Sequence, residues 1–379
     1  MRHVLAFCES EQPWLLETIR ALVARESPTH DKSAVDACGR ELRQRLEAIG
    51  ARVTSIAQSV AGDHLRAEFG RGDRQILLLG HFDTVWDVGQ LRFMPLAEGD
   101  GRLHGPGVFD MKAGIALGML ATRALFERDD APEAKVVMLW TADEETGSAT
   151  SRPLIEMEAG RSAAVLVLEP ALPGGAVKTS RKGCGSYELV VHGVPAHAGV
   201  DPSKGASAIH ELARQILRLE ALQDPVRGVT LNVGVVSGGT RRNVVAAEAR
   251  ASIDVRVPTM ADAVAVDGAL RKLAPELPGT RLELRGAIDR PPLERGAAVI
   301  HVYEIARDVA AALGKTLDEG ATGGGSDGNF TAALGVPTLD GLGAIGDGAH
   351  AVHEHVVVSE LAWRAALIVG LVDRLVADV

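Results

Sequence analysis

Gln75-Ile76-Leu77-Leu78-Leu79-Gly80-His81-Phe82-Asp83-Thr84-Val85 joins an unbroken apolar run to a polar cluster. Ile76 to Leu79 read as a strand buried on both faces, because a strand with one wet face alternates apolar and polar residues. Lys135 to Trp140 and Ala163 to Leu168 are similar runs, and the helix-spaced stretch Met111 to Phe126 separates the first two. Strand, helix, strand in that rhythm requires crossover connections, so the sequence predicts an α/β fold with a mostly parallel sheet. Ligands in such sheets bind outside the carboxyl ends of the strands, where the cluster around His81 and Asp83 falls.

Outward from that run, Leu15, Leu16, Ile19, Leu22 and Val23 have one-face helical spacing, and Ser33 to Ile49 reads as a second helix stopped by Gly50. The middle of the chain changes character. Val229 to Val236 and Ala249 to Val257 alternate, as antiparallel strands with one open face do, and helical patterns at Ser203–Leu222 and Ala261–Leu273 accompany them. After Pro291-Pro292 the buried style returns, with a helix from Ala297 to Leu313, a strand at Gly335–Leu339 and a helix from Ser359 to Val376. The expected organisation is one α/β domain over 1–180 and 290–379, interrupted by a smaller α+β domain over 181–289.

Composition narrows the function. The chain has 379 residues, 46% of them apolar, which suits two domains with substantial cores. With 50 acidic and 40 basic residues and 3% aromatics, neither a phosphate-binding surface nor a base-stacking platform is expected, so nucleic acid is excluded as a partner. No apolar run approaches the ~18 residues of a membrane span, so no membrane partner is expected. Cys8, Cys38 and Cys184 are far apart, which disfavours a disulfide framework or a thiolate zinc site. Glu9 and Glu11 cut short the apolar start, so no signal peptide is expected and a cytoplasmic location is.

Five polar elements carry the chemistry. His81 and Asp83 lie on one side of an extended chain, either as a polar pair at a strand end or as a metal-bound imidazole with its orienting carboxylate. Asp110, in Gly105-Pro106-Gly107-Val108-Phe109-Asp110-Met111-Lys112, stands before a helix and suits an N-cap when read alone. Asp143, Glu144 and Glu145 are consecutive acids after a buried strand, tolerable in a solvated loop or beside bound cations. Glu169 abuts an apolar strand and needs a partner. Gly348-Ala349-His350-Ala351-Val352-His353-Glu354-His355 supplies three histidines. No His-Glu-x-x-His occurs, and the donors are nitrogen and oxygen only, a set that suits zinc with manganese or cobalt as substitutes.

In order and spacing these segments resemble the zinc-dependent aminoacylase and carboxypeptidase superfamily, most closely its glutamate carboxypeptidase-like branch, from about Leu15 to the C-terminus. The resemblance implies two zinc ions per subunit bridged by Asp110. It implies that His81 and Glu169 complete one site, that Glu145 and His350 complete the other, and that Asp83 orients His81 while Glu144 is the catalytic carboxylate. The family places a Glu four residues after the liganding histidine, so Glu354 selects His350 over His353. Gly193-Val194-Pro195-Ala196-His197-Ala198-Gly199 resembles the segment whose histidine serves the partner subunit, which implies a homodimer with His197 stabilising an oxyanion in trans. Asn243 and Arg256 match positions that hold the substrate carboxylate, although Ala246 stands where relatives often have proline. Gly324 and Gly325 match a loop lining the pocket. The implied substrate is a small peptide or an N-acyl amino acid, cleaved by a carboxypeptidase or by a deacylase.

Two rival patterns are weaker. Gly341-x-Gly343-x-x-Gly346 lacks the following helix of a dinucleotide fold. Gly324-x-Ser326-x-Gly328 fits a serine nucleophile elbow but leaves Asp110, Glu144, Glu145 and Glu169 without a task.

Overall fold

In the computed structural model, which describes residues 1–128 and 131–377, the strand Gln75–His81 is buried at every position. It lies inside a six-stranded sheet. The order is Arg52–Ile56, His64–Gly70, Lys135–Thr141, Gln75–His81, Ala164–Val167 and Thr338–Leu339. The first two junctions are antiparallel and the other three parallel.

Strand alternation explains the unbroken apolar run. Ile76 and Leu78 join Val136, Met138 and Trp140 in one core, with the helices Gln12–Val23, Ala113–Phe126 and Leu361–Ala377. Leu77 and Leu79 join Val137, Leu139, Val165 and Val167 in a second core, with Ile155, Ala159 and Phe330. Successive side chains point to opposite faces, so a sheet covered on both faces needs apolar residues at consecutive positions. Gly114 lets the helix Ala113–Phe126 approach closely, since a Cβ there would stand 2.1 Å from the Leu168 carbonyl oxygen.

The chain divides into two compact units, Met1–Thr179, Arg295–Ala321 and Ser326–Val379 in one, Ser180–Glu294 and Thr322–Gly325 in the other. The smaller unit runs past residue 289 because Arg181 and Leu293 exchange backbone hydrogen bonds of 2.9 and 3.0 Å. Thr322–Gly325 joins it through the Lys182 N–H, which donates to Thr322 O, and the Arg181 guanidinium, which donates to Gly324 and Gly325 carbonyls.

The smaller unit is an antiparallel sheet ordered Thr230–Gly238, Glu248–Val257, Gly183–His192 and Arg281–Arg290. The helices Ala208–Glu220 and Met260–Arg271 pack on its apolar face. Ser207 and Thr259 cap them by accepting from the His210 and Asp262 N–H groups, as N-cap hydroxyls do.

Several boundaries differ from the sequence reading. Pro202–Lys204 forms a separate helical turn, so the helix expected from Ser203 begins at Ala208. The helix expected from Met111 begins at Ala113, because Asp110 and Met111 have non-helical backbone angles. The strand at Gly335–Leu339 shrinks to Thr338–Leu339. Arg281–Arg290 is a full strand that the sequence reading did not single out.

Candidate metal centre

Three adjacent parallel strands end at one edge of the sheet, and each delivers a polar group there. His81 is the last residue of Gln75–His81, Glu144 and Glu145 follow Lys135–Thr141, and Glu169 follows Ala164–Val167. Asp110 arrives from elsewhere, in the kinked segment Val108–Lys112, and the Asp110–Met111 peptide bond is cis. His350 lies in the turn between Gly346–Asp347 and His355–Val357, with a left-handed φ of 59°. A small sheet pairs His355–Val357 with Arg102–His104 and so brings that turn beside the Asp110 segment.

Two triads result, and they share Asp110. His81 Nε2 stands 3.3 Å from Asp110 Oδ1 and 3.4 Å from Glu169 Oε1. His350 Nε2 stands 3.4 Å from Asp110 Oδ2 and 3.2 Å from Glu145 Oε2. In each triad the potential donor atoms all lie within 4.8 Å of one another. Asp110 Oδ1 and Glu145 Oε1 are buried without a well-formed hydrogen bond among the described residues. A direct charge-assisted N–H···O bond closes to about 2.7–2.9 Å. Ligands about 2.0–2.1 Å from one tetrahedral ion stand about 3.3–3.4 Å apart, which is the spacing found here. The donor set therefore fits two divalent cations, and Asp110 is not the N-cap it resembled when read alone.

The electrostatics agree with that fit. Burial works against a charged His81, yet the carboxylates of Asp110, Asp83 and Glu169 hold its pKa well above the usual imidazole value. Asp110 and then Glu145 lift His350 to about 10 against its burial. Burial disfavours the Asp110 carboxylate, but His350 and His81 keep its pKa far below the ordinary range. Burial raises Glu145. A concentrated negative field of this kind retains protons until a stronger cation displaces them.

Asp83 makes more contacts than one. Its carboxylate is 3.4 Å from His81 Nδ1, which lies nearer, at 3.0 Å, to the Asp83 carbonyl oxygen. The same carboxylate accepts from the N–H groups of Glu144 and Glu145, at 3.3 and 3.2 Å, and from Thr29 Oγ1 at 2.7 Å. Asp83 thus ties the His81 strand end to the loop of acids. Glu144 is partly exposed on that loop and belongs to neither triad.

The remaining candidates lie in the smaller unit. His197 is exposed, its Nδ1 accepts from the Gly199 and Val200 N–H groups, and its backbone bridges Val244 next to Asn243. The Arg256 guanidinium pairs with Asp254 at 2.9 Å and meets Cys184 Sγ at 2.6 Å. The sequence reading passed over Arg181, which holds the carbonyls of Gly324 and Gly325 at 3.2 and 3.0 Å. It also gave no task to Asp327, whose buried carboxylate accepts from Thr141 and Ser148 on either side of the acidic loop. Pattern alone offered no signal for either residue, since their partners are distant in sequence. A cavity of about 510 Å³ on the smaller sheet, lined by Tyr187, Asn232, Asp254 and Arg285 among others, contains none of the candidate residues.

Residues 77–374 match peptidase family M20/M25/M40. The chain is 30% identical over 371 residues to carboxypeptidase G2 of Pseudomonas sp. (strain RS-16), covering 96% of this chain and 89% of that protein. It is 28% identical to a succinyl-diaminopimelate desuccinylase of Xanthomonas oryzae pv. oryzae over 389 residues, 94% of this chain and 97% of the relative. Among solved structures, an aminopeptidase PepT from Bacillus cereus superposes with a TM-score of 0.78 at 24% identity, covering 97% and 99% of the two chains. A dinuclear metal-binding M20 peptidase of Bacillus subtilis superposes with a TM-score of 0.70 at 15% identity, covering 98% and 100%. The chain belongs to peptidase family M20/M25/M40 and is a metallohydrolase.

Proposed function

We propose that this family member hydrolyses the amide bond next to a free carboxylate, releasing a C-terminal amino acid such as glutamate, with two zinc ions held by His81, Asp110 and Glu169 and by Asp110, Glu145 and His350. The observation that carries the reading is the pair of triads sharing Asp110, with four histidine–carboxylate separations of 3.2–3.4 Å. When bound, the ions supply a Lewis acid for the scissile carbonyl and lower the pKa of water toward neutrality.

The chain's own residues do the rest. Glu144 takes the proton from the attacking water and returns it to the leaving amine. Asp83, through the Glu144 and Glu145 N–H groups, keeps that loop aligned with His81. Asn243 and Arg256 grip the substrate carboxylate, where a planar guanidinium suits two carboxylate oxygens. Asp254, which pairs with Arg256 at 2.9 Å, supports this role, because the pairing places the guanidinium to meet a carboxylate. His197 supplies a donor to the developing oxyanion.

Similarity to carboxypeptidase G2 supports the peptidase reading. Similarity to the desuccinylases favours a second reading, removal of an acyl group from an N-acyl amino acid with the same machinery. A panel of dipeptides and N-acyl amino acids, assayed with added zinc, separates them. Faster turnover of dipeptides ending in glutamate supports the first reading. Preference for acylated amino acids replaces it with the second, and hydrolysis of neither class overturns both.

The proposed assembly is a homodimer through the smaller unit. Its edge strand Thr230–Gly238 exposes Val235 and Val236, and beside it an apolar groove of about 270 Å³ is lined by Ile209, Leu212 and Ile216. An exposed apolar edge strand is a pairing surface, and a two-fold dimer satisfies it in closed form. Mixing inactive Glu144→Gln and His197→Ala chains tests the assembly and the role of His197 in trans. Recovered activity supports both, and no recovery after demonstrated subunit exchange removes the trans role. Among the described residues no helix is long and apolar enough to cross a membrane.

A further inference from the structure

We propose that Glu354 is the positioning residue that holds Asp110 in place between the two ions; the inference rests on the reading of Asp110 as a shared ligand. Glu354 is 1% exposed, and its two carboxylate oxygens meet four N–H donors. Oε1 accepts from the backbone of Phe109 at 2.9 Å and of Asp110 at 3.0 Å. Oε2 accepts from the Gly107 backbone at 2.9 Å and from Trp86 Nε1 at 2.8 Å. Three of the four donors therefore belong to the segment that carries Asp110.

Glu354 also belongs to the His350 turn. The Ala351 N–H donates to Gly348 O at 2.8 Å, and the Glu354 N–H donates to Ala351 O at 3.0 Å. The turn closes only because Gly348 lacks a side chain, since a Cβ there would stand 2.8 Å from Glu354 N. One carboxylate thus links the segment of the shared ligand to the turn of His350. Backbone N–H groups and an indole N–H only donate, so all four need an acceptor. An ionised carboxylate meets them, whereas an amide of the same shape turns an NH₂ toward donors. Groups that orient ligands from behind typically contribute about 10–100-fold in metal affinity or activity.

The test is Glu354→Gln in the full chain, with zinc affinity measured by chelator competition and with Tm measured for zinc-free and zinc-loaded protein. The expected result is zinc binding weakened about 10–100-fold, a smaller Tm gain on adding zinc, and activity that recovers in part at high zinc. A merely structural role would lower both Tm values equally and leave affinity unchanged, which overturns the proposal. Should Glu354→Gln fail to fold, Trp86→Phe removes the one donor outside the Asp110 segment. A smaller weakening of zinc binding supports the proposal, and unchanged binding overturns it. Asp110→Asn run in parallel separates the two levels. If it leaves zinc binding intact, the shared-ligand reading fails; if it alone weakens binding, only the role of Glu354 fails.

Discussion

The strand ends that hold the two triads bury their charges, whereas one face of the smaller sheet displays its own. At the strand ends of the larger unit His81, Asp83 and Glu169 are nearly inaccessible, and Asp110 and Glu145 carry buried oxygens with no well-formed hydrogen bond among the described residues. On the smaller sheet Glu188, Arg250, Glu283 and Arg285 form ion pairs with side chains 34–55% exposed. Desolvated charges need a counter-charge in a defined place, while exposed pairs are screened and contribute about 0–1 kcal/mol each. The contrast teaches where a cation is required by the architecture and where charge only keeps a surface wet.

The largest expected effect breaks the shared point of the two triads. Asp110→Asn should reduce bound metal below two ions per chain and take hydrolysis to background, as read by elemental analysis and a peptide assay. Retention of both ions and of activity would remove Asp110 from the centre. Glu144→Gln should come next. It keeps the side-chain shape and the metal content while kcat falls by about 10²–10⁴, the usual worth of a general acid–base. Parallel loss of metal would instead make Glu144 a ligand.

A third prediction sets one buried cation against one exposed one. Arg364 is fully buried and donates to the carbonyls of Gly175, Gly341 and Gly343, with no carboxylate bonded to it among the described residues. Burial alone pushes its pKa down to about 9. Arg364→Met strands three carbonyls and should cost on the order of 3–5 kcal/mol in denaturant unfolding. Arg285→Ala in the smaller unit should cost under about 1 kcal/mol. Equal costs would end the contrast between the units.

The smallest expected effect is a pH dependence. Burial holds the pKa of His64 below its usual 6.5. Its Nδ1 accepts from the Ala142 N–H at 3.2 Å, and its Nε2 meets Thr150 Oγ1 at 3.0 Å. The unfolded chain then binds the proton more readily than the folded one. Stability is therefore lost as pH falls through 6.5 toward the lower folded value, and the loss stops once both states are protonated. His64→Gln should flatten that part of the Tm-against-pH curve while lowering Tm at neutral pH. An unchanged acid slope would mean that other groups govern it.

The elements legible in advance were those whose pattern has a single reading. The run Ile76–Leu79 has unbroken hydrophobicity because both sheet faces are covered. Less was legible where the pattern was diluted. In Arg281–Arg290 leucines alternate with charged residues only as far as Arg285, and Gly286 and Ala287 then interrupt the pattern. Helix starts were blurred where a separate turn or a kink precedes the helix, as at Pro202–Lys204 and at Asp110.

The amino-acid sequence by itself pointed to the parallel core and to a change of character near residues 181 and 289, and the resemblance of its motifs to a known family singled out the five residues of the two triads, Asp110 among them as the shared one. The first two follow from local periodicity, a property of the chain, and the third is what the family resemblance of the motifs implies. Only the tertiary structure decided that the Asp83 carboxylate reaches the backbone of Glu144 and Glu145, and that Glu354 meets Gly107, Phe109 and Asp110 across more than 240 positions. A hydrogen bond acts over about 3 Å, and partners so far apart in sequence meet only when strands and turns have packed.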